Sequence, residues 1–156
     1  MGQFGFGQPV RRKEDQRLLT GRGTYVDDRT LPHQAYAHLL RSPHAHAEIK
    51  AIDTQAASQA PGVLAVLTGA DLAADGIGGV PSLYVPPPPP GVAPEDWSIV
   101  TPPFAVLARD RVRLVGDGVA LIVAESLTAA RDAAELIDID YDVLPATAAT
   151  AAAAEP

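Results

Sequence analysis

Between residues 44 and 51 apolar and polar side chains alternate without a break: Ala45, Ala47, Ile49 and Ala51 against His44, His46, Glu48 and Lys50. Successive side chains of a strand point to opposite faces, so this stretch predicts a strand with one apolar and one polar face. Asp53 then stands where its carboxylate can accept from the free N–H groups of a helix's first turn, which predicts a short helix over residues 54–59. Pro61-Gly62 stops that helix, and Val63, Leu64, Ala65, Val66 and Leu67 read as a buried strand. Strand, helix and strand in so few residues signal a compact α+β unit.

The same patterning organises the rest of the chain. Tyr25-Val26 predicts a first strand ended by Asp27-Asp28, and residues 35–40 a second. Thr68-Gly69-Ala70-Asp71 has the form of a capping box with Asp in place of Glu, so a short helix should follow. Residues 112–115 and 119–124 flank Gly116-Asp117-Gly118 and predict a hairpin with a glycine-containing turn. Ser126 caps the clearest helix, in which Leu127, Ala130, Ala134 and Ile137 form an apolar stripe expected to face the core. Residues 138–144 form a final strand with Ile139, Tyr141 and Val143 on its apolar side.

These elements divide the chain into an extended N-terminal arm over 1–24, a folded domain over 25–146, and an alanine-rich tail over 147–156. A Pro- and Gly-rich loop over 76–103 interrupts the domain. Its five consecutive prolines, 86–90, fix φ and remove donors, which favours a stiff polyproline II segment that no sheet centre can accept.

At 156 residues the chain is most simply one domain, burying roughly two-thirds of its unfolded surface. Aromatic residues are scarce, so the core should be built from Val, Leu, Ile and Ala. A formal net charge of −7 argues against nucleic acid as a partner, because phosphate binding needs a basic surface. The exception is local: Arg11, Arg12, Lys13, Arg17 and Arg22 make the arm basic. With no cysteine, disulfides, thiol catalysis and a thiolate-ligated iron–sulfur cluster are excluded for this chain. No apolar run approaches the ~20 residues a membrane helix requires, and a cytoplasmic protein without membrane contact is the expectation.

Three longer stretches carry a family resemblance. Residues 11–28, RRKEDQRLLTGRGTYVDD, and 41–72, RSPHAHAEIKAIDTQAASQAPGVLAVLTGADL, resemble the opening of one particular subunit. That subunit is the large, molybdenum-binding one of the xanthine dehydrogenase, aldehyde oxidase and aerobic carbon monoxide dehydrogenase family. Residues 111–146, RVRLVGDGVALIVAESLTAARDAAELIDIDYDVLPA, resemble the close of the same domain. The fold so implied is the α/β hammerhead: α+β, a mixed or antiparallel sheet, two or three short helices and a long Pro-rich loop.

The parent reaction implied by the resemblance inserts oxygen from water at an electron-poor carbon, or oxidises carbon monoxide. It uses molybdopterin-bound molybdenum, with electrons passing to iron–sulfur clusters and flavin on partner chains or domains. The cofactor-binding residues and the catalytic glutamate of that family correspond to positions beyond Pro156. The resemblance therefore assigns no catalytic and no cofactor-binding residue here, and the chain alone should be inert. Its expected partners are the remainder of the molybdenum subunit and the iron–sulfur and flavin subunits or domains.

Several side chains are candidates for chemistry. His38, His44 and His46 are the best metal-ligand candidates, since imidazole is a common ligand, but spacing fixes no fourth ligand. A polar strand face that docks another domain is the competing reading. Asp138, Asp140 and Asp142 begin like a calcium loop, yet Val143 sits where the sharp turn wants Gly and Ala149 where a bidentate Glu belongs. Neither a phosphate-cradling glycine loop nor a nucleophile elbow is present. The loop is the remaining functional feature. By the resemblance it reaches toward the substrate channel, making Val80, Pro81, Ser82, Leu83 and Tyr84 wall residues. The alternative is a free-standing protein-interaction module that uses the basic arm and offers the prolines to an aromatic groove, or carries them as a stiff spacer.

Overall fold

A computed structural model describes residues 12–81, 86–98, 104–149 and 152. The chain divides into two units, 1–34 and 35–156. In the first, the stretch expected as an extended arm contains a short helix, α1 (Asp15–Leu19), with none of its residues buried. Tyr25-Val26 starts no strand. Residues Val26–Asp28 form a 3-10 turn instead, closed by the Asp28 carboxylate accepting from the Tyr25 N–H at 2.8 Å. Two adjacent aspartates that can satisfy local N–H groups favour a turn over a ladder.

The second unit is α+β, built on two small antiparallel sheets. Its elements run β1 (Tyr36–Arg41), β2 (Ala47–Asp53), α2 (Gln55–Ser58), β3 (Val63–Thr68), α3 (Gly69–Ala74), β4 (Arg111–Val112), β5 (Gly118–Ala124), α4 (Leu127–Ala134) and β6 (Asp138–Val143). One sheet has the order β1-β5-β3 and the other β4-β2-β6. The expected hairpin is therefore absent: β4 pairs with β2, while β5 lies between β1 and β3 in the other sheet. The physical reason is in β5 itself. Val119, Ala120, Ile122 and Ala124 are all fully buried, so both faces of this strand are covered and it takes a central place.

Gly116-Asp117 still makes a turn, but one that carries the chain between sheets. The Asp117 carboxylate accepts from the N–H groups of Arg113 and Leu114, at 2.7 and 3.3 Å. The return crossing, from β1 to β2, runs through Ser42 and is tied to the first. Ser42 N–H donates to the Asp117 carbonyl (2.8 Å) and Gly116 N–H to the Ser42 carbonyl (2.9 Å). Arg41 Nη1 adds a bond to the Gly116 carbonyl at 2.7 Å.

The alternation of residues 44–51 is interrupted where the sequence shows no break. Ile49 faces Tyr141 and Ala51 faces Asp140, so Lys50 is an extra residue in the ladder, a β-bulge. The bulge shifts the phase: Ala47, Ile49 and Ile52 are covered while Ala51 is exposed. β3 carries a similar irregularity between Val63 and Ala65, leaving Leu64 58 % exposed.

Two clusters make the core. One packs Ala130, Ala133 and Ala134 of α4 against Ile122 and Ala124 of β5 and Ala57 of α2. The other joins Ala47, Ala108, Val112 and Val119. Ser126 caps α4 as expected, its Oγ accepting from Ala129 N–H at 3.1 Å. The apolar stripe is displaced, however. Leu127 is 38 % exposed, and Ala133 takes the place in the core that the spacing had given to Leu127. The helix buries its small residues Ala130, Ala133 and Ala134 against the sheet, and Leu127, at its first position, stays at the edge of that contact.

The capping box at α3 also forms. Asp71 Oδ2 accepts from both the backbone N–H and the hydroxyl of Thr68, at 2.7 and 2.6 Å. These bonds, the hydroxyl's first, hold the Asp71 carboxyl below its ordinary value of 3.8. Asp71→Ala should cost about 1 kcal/mol at neutral pH. A depressed carboxyl contributes stability that is present above its unfolded value and lost as pH falls through the folded one. The gap between wild type and variant in thermal melts should therefore hold above pH 4 and close with acidification. A gap independent of pH would assign the loss to helix propensity instead.

Candidate functional site

The three histidines are engaged separately. His38 lies within β1, opposite Ile122. His44 stacks edge-on against Tyr141, ring centroids 4.9 Å apart. His46 Nδ1 lies 2.8 Å from the Pro145 carbonyl oxygen, which can only accept, so the proton is on Nδ1. The His46 carbonyl in turn accepts from Leu144 N–H at 2.9 Å, and the two bonds pin the chain where it leaves β6. Among the described residues no group of three or more His, Asp or Glu side chains is placed to hold a metal ion. Asp138, Asp140 and Asp142 lie along the β6 edge of the second sheet, in register with Asp53, Ala51 and Glu48.

An ion-pair ladder crosses that sheet. Arg111 Nη2 meets Glu48 Oε1 at 2.7 Å, Lys50 Nζ meets Glu48 Oε2 at 2.6 Å, and Lys50 also reaches Asp142 at 3.3 Å. Hydrogen bonds from Lys50 and then Arg111 hold the Glu48 carboxyl below its usual range. These side chains are solvated and mutually satisfied, which makes them a sheet surface, not an acid/base pair.

Tyr141 is less well satisfied. Its Oη is buried with no hydrogen-bond partner among the described residues. Burial pushes the phenol up, and the Ser42 hydroxyl offsets part of that. Ser42 Oγ does not reach hydrogen-bond geometry with Tyr141, however; it is committed to the His44 N–H and carbonyl, at 3.0 and 3.1 Å. An orphaned buried hydroxyl costs stability, so Tyr141→Phe should raise it by about 1 kcal/mol in urea titration. A loss of similar size would show that the hydroxyl has a partner in solution.

The loop has more internal structure than a spacer. Trp97 Nε1 donates to the Pro86 carbonyl at 3.2 Å, closing the segment on itself. Between them, Val92 N–H returns to the Pro89 carbonyl at 3.1 Å across Pro90-Gly91, where Gly91 has φ +88°. That turn suits Pro followed by Gly. The loop's stems are also joined: Val80 N–H donates to the Phe104 carbonyl at 2.7 Å. Gly79 is needed there, since a Cβ would come within 2.7 Å of the same oxygen. Val80 is 51 % exposed. Of the five wall residues expected from the resemblance, Val80 and Pro81 stand at this stem, and Ser82, Leu83 and Tyr84 lie outside the described residues.

Beside the stem lies a pocket of about 110 Å³, walled by Leu72 and Ala73 of α3, by Ile77, Gly78 and Gly79, by residues 105–107 and by Arg109. Gly69 forms its base, packed so closely on the backbone of Ala108 that a Cβ would lie 2.7 Å from that carbonyl oxygen. The sequence signals for this pocket were weak: a Gly78-Gly79 pair and scattered apolar residues on either side of the loop.

Residues 20–145 match the family described as "Aldehyde oxidase and xanthine dehydrogenase, a/b hammerhead domain". The chain belongs to that family. Relatives agree in both sequence and shape. The nicotine 6-hydroxylase large subunit of Paenarthrobacter nicotinovorans is 44% identical over 138 residues, covering 88% of this chain and 16% of that protein. The carbon monoxide dehydrogenase large chain of Afipia carboxidovorans is 39% identical over 152 residues, 97% of this chain and 17% of that protein. The crystal structure of the aldehyde oxidoreductase from Desulfovibrio desulfuricans superposes with a TM-score of 0.77 at 28% identity, covering 96% of this chain and 16% of that one. The hammerhead chain thus spans about a sixth of the length of the relatives it matches. No helix among the described residues is long and apolar enough to cross a membrane.

Proposed function

We propose that this hammerhead domain is the framework and assembly domain of the large subunit of a molybdenum-dependent oxidoreductase, and that its loop forms one wall of the substrate passage. The observation that carries the reading is the match over residues 20–145, shared with large subunits some six times longer. In this reading 25–146 is the hammerhead domain proper, 1–24 an arm that lies on other parts of the assembly, and 147–156 the tail leading out of it.

The described residues do not fit the cofactors of such an enzyme. A pocket of about 110 Å³, lined by apolar groups and one arginine, is too small for a pterin, and the chain has no cysteine for an iron–sulfur cluster. Molybdopterin-bound molybdenum therefore belongs to the remainder of the subunit, and iron–sulfur clusters and flavin to partner subunits or domains. This chain contributes no catalytic residue. Val80, Pro81, Ser82, Leu83 and Tyr84 shape access and take no part in the chemistry. The joined stems and the Trp97–Pro86 bond support that role, because a wall must hold its position without a bound ligand.

No specific observation favours a free-standing interaction module, and the first proline carbonyl of the run is already taken by Trp97. The test is reconstitution. This chain mixed with the remaining large-subunit segment and the partner subunits should restore molybdenum-dependent oxidation, while neither piece alone turns over. Activity of the remaining segments without this chain would refute the framework role.

A further inference from the structure

The pocket beside the loop stem is too small for a small-molecule ligand, since such sites run to roughly 300–1,000 Å³. Its volume of about 110 Å³ suits a single side chain, and its lining is apolar apart from Arg109. Its surroundings are unusual for a solvated surface. Ile77, Val80, Phe104 and Val106 are respectively 51, 51, 59 and 49 % exposed, and all four line the pocket or adjoin its lining residues in the chain. Two exposed apolar groups on the concavity and two more beside it, joined by the Val80–Phe104 backbone bond, make an apolar collar, the arrangement expected where a partner's anchor is buried in a socket and ringed by apolar contact.

The socket is also rigid. Leu72 and Ala73 come from α3, which is held by the Asp71–Thr68 cap. Gly69 rests on the backbone of Ala108, and the Val80–Phe104 hydrogen bond joins the two sides. A pre-formed socket loses little entropy when filled.

We propose that this socket receives one large aliphatic or aromatic side chain from the remaining polypeptide of the large subunit, and that the collar of Ile77, Val80, Phe104 and Val106 is the main apolar contact between the hammerhead domain and that segment. The inference rests on the assembly role proposed above. A segment of the same subunit is favoured over a second copy because about five-sixths of each relative's polypeptide lies outside the matched region, all of it to be accommodated around the same domain.

Gly78 supplies a clean test. It lines the socket, and a Cβ added there meets no atom within 4 Å, so a side chain can be introduced without disturbing the fold. Binding of the full chain to the separately produced remaining segment would be measured by sedimentation, using Gly78→Leu, Val80→Glu and, as a control, Val115→Glu. Val115 is 64 % exposed and outside the socket. Wild type and Val115→Glu should bind alike, and Gly78→Leu and Val80→Glu should bind at least tenfold more weakly with unchanged melting temperatures. Equal binding by all four proteins overturns the socket and leaves the assembly role standing. No binding by the wild type overturns both. A concentration-dependent dimer of the wild type that Gly78→Leu abolishes assigns the socket to a second copy and overturns the proposal.

Discussion

Ala130→Asp should unfold the domain, whereas Leu127→Asp, three residues earlier on the same helix, should be nearly silent. Ala130 is fully buried among Ile122, Ala124 and Ala57. A carboxylate there is enclosed by apolar groups, and an uncompensated buried charge costs about 3–5 kcal/mol. Domains of this size hold only about 5–15 kcal/mol in total, so one substitution takes a large share of the margin and, at the low end of that range, all of it. Leu127 is 38 % exposed and is the first residue after the Ser126 cap. An aspartate there loses partial burial but gains the favourable field of the helix N-terminus, worth about 0.3–1 kcal/mol. Circular dichroism with thermal melting separates the two. A Leu127→Asp protein as damaged as Ala130→Asp would mean that α4 is rotated from the position described.

Ile122→Ala is expected to cost about 2–5 kcal/mol, in the upper part of that range. Among the described residues Ile122 is the largest of the fully buried side chains, and it sits at the centre of β5, opposite His38 on one side and Val66 on the other. The price of such a cavity depends on how far the neighbours can relax into it. Here the buried neighbours are the alanines of α4 and Ala57, which have no reach to fill the space, and only the partly buried Leu40, Val63, Val66 and Ile137 at the edge of the cluster could move toward it. Urea titration should show a lower midpoint with an unchanged slope. A loss below about 1 kcal/mol would indicate that the helix settles onto the sheet and closes the void.

Both expectations depend on a placement that the residue pattern fixed only approximately. The strands at β1, β2, β3 and β6 and the capped helices α3 and α4 are written locally. Alternation, a proline–glycine stop, and the Thr68–Asp71 and Ser126 caps act within four residues, and those signals survive folding. The arm expected to be extended holds α1, and Tyr25-Val26 enters a turn, because short polar side chains there find backbone partners nearby. The long match to the hammerhead family was legible for the same reason as the caps. It resides in contiguous phrases such as 41–72, whose Arg41, Ser42, His44 and His46 now have structural duties.

The sequence by itself determined the α+β class, the order of most elements, the family, and the absence of a cysteine-based chemistry. Tertiary structure alone decided that β4 and β5 belong to different sheets, that a bulge at Lys50 reverses the faces of β2, and that Leu127 stays outside. It also decided that residues on either side of a long loop close a small apolar socket. Each of these turns on contacts between residues far apart in the chain, where burial on both faces of β5 outweighs the local preference for a hairpin, and no short window of residues contains that balance.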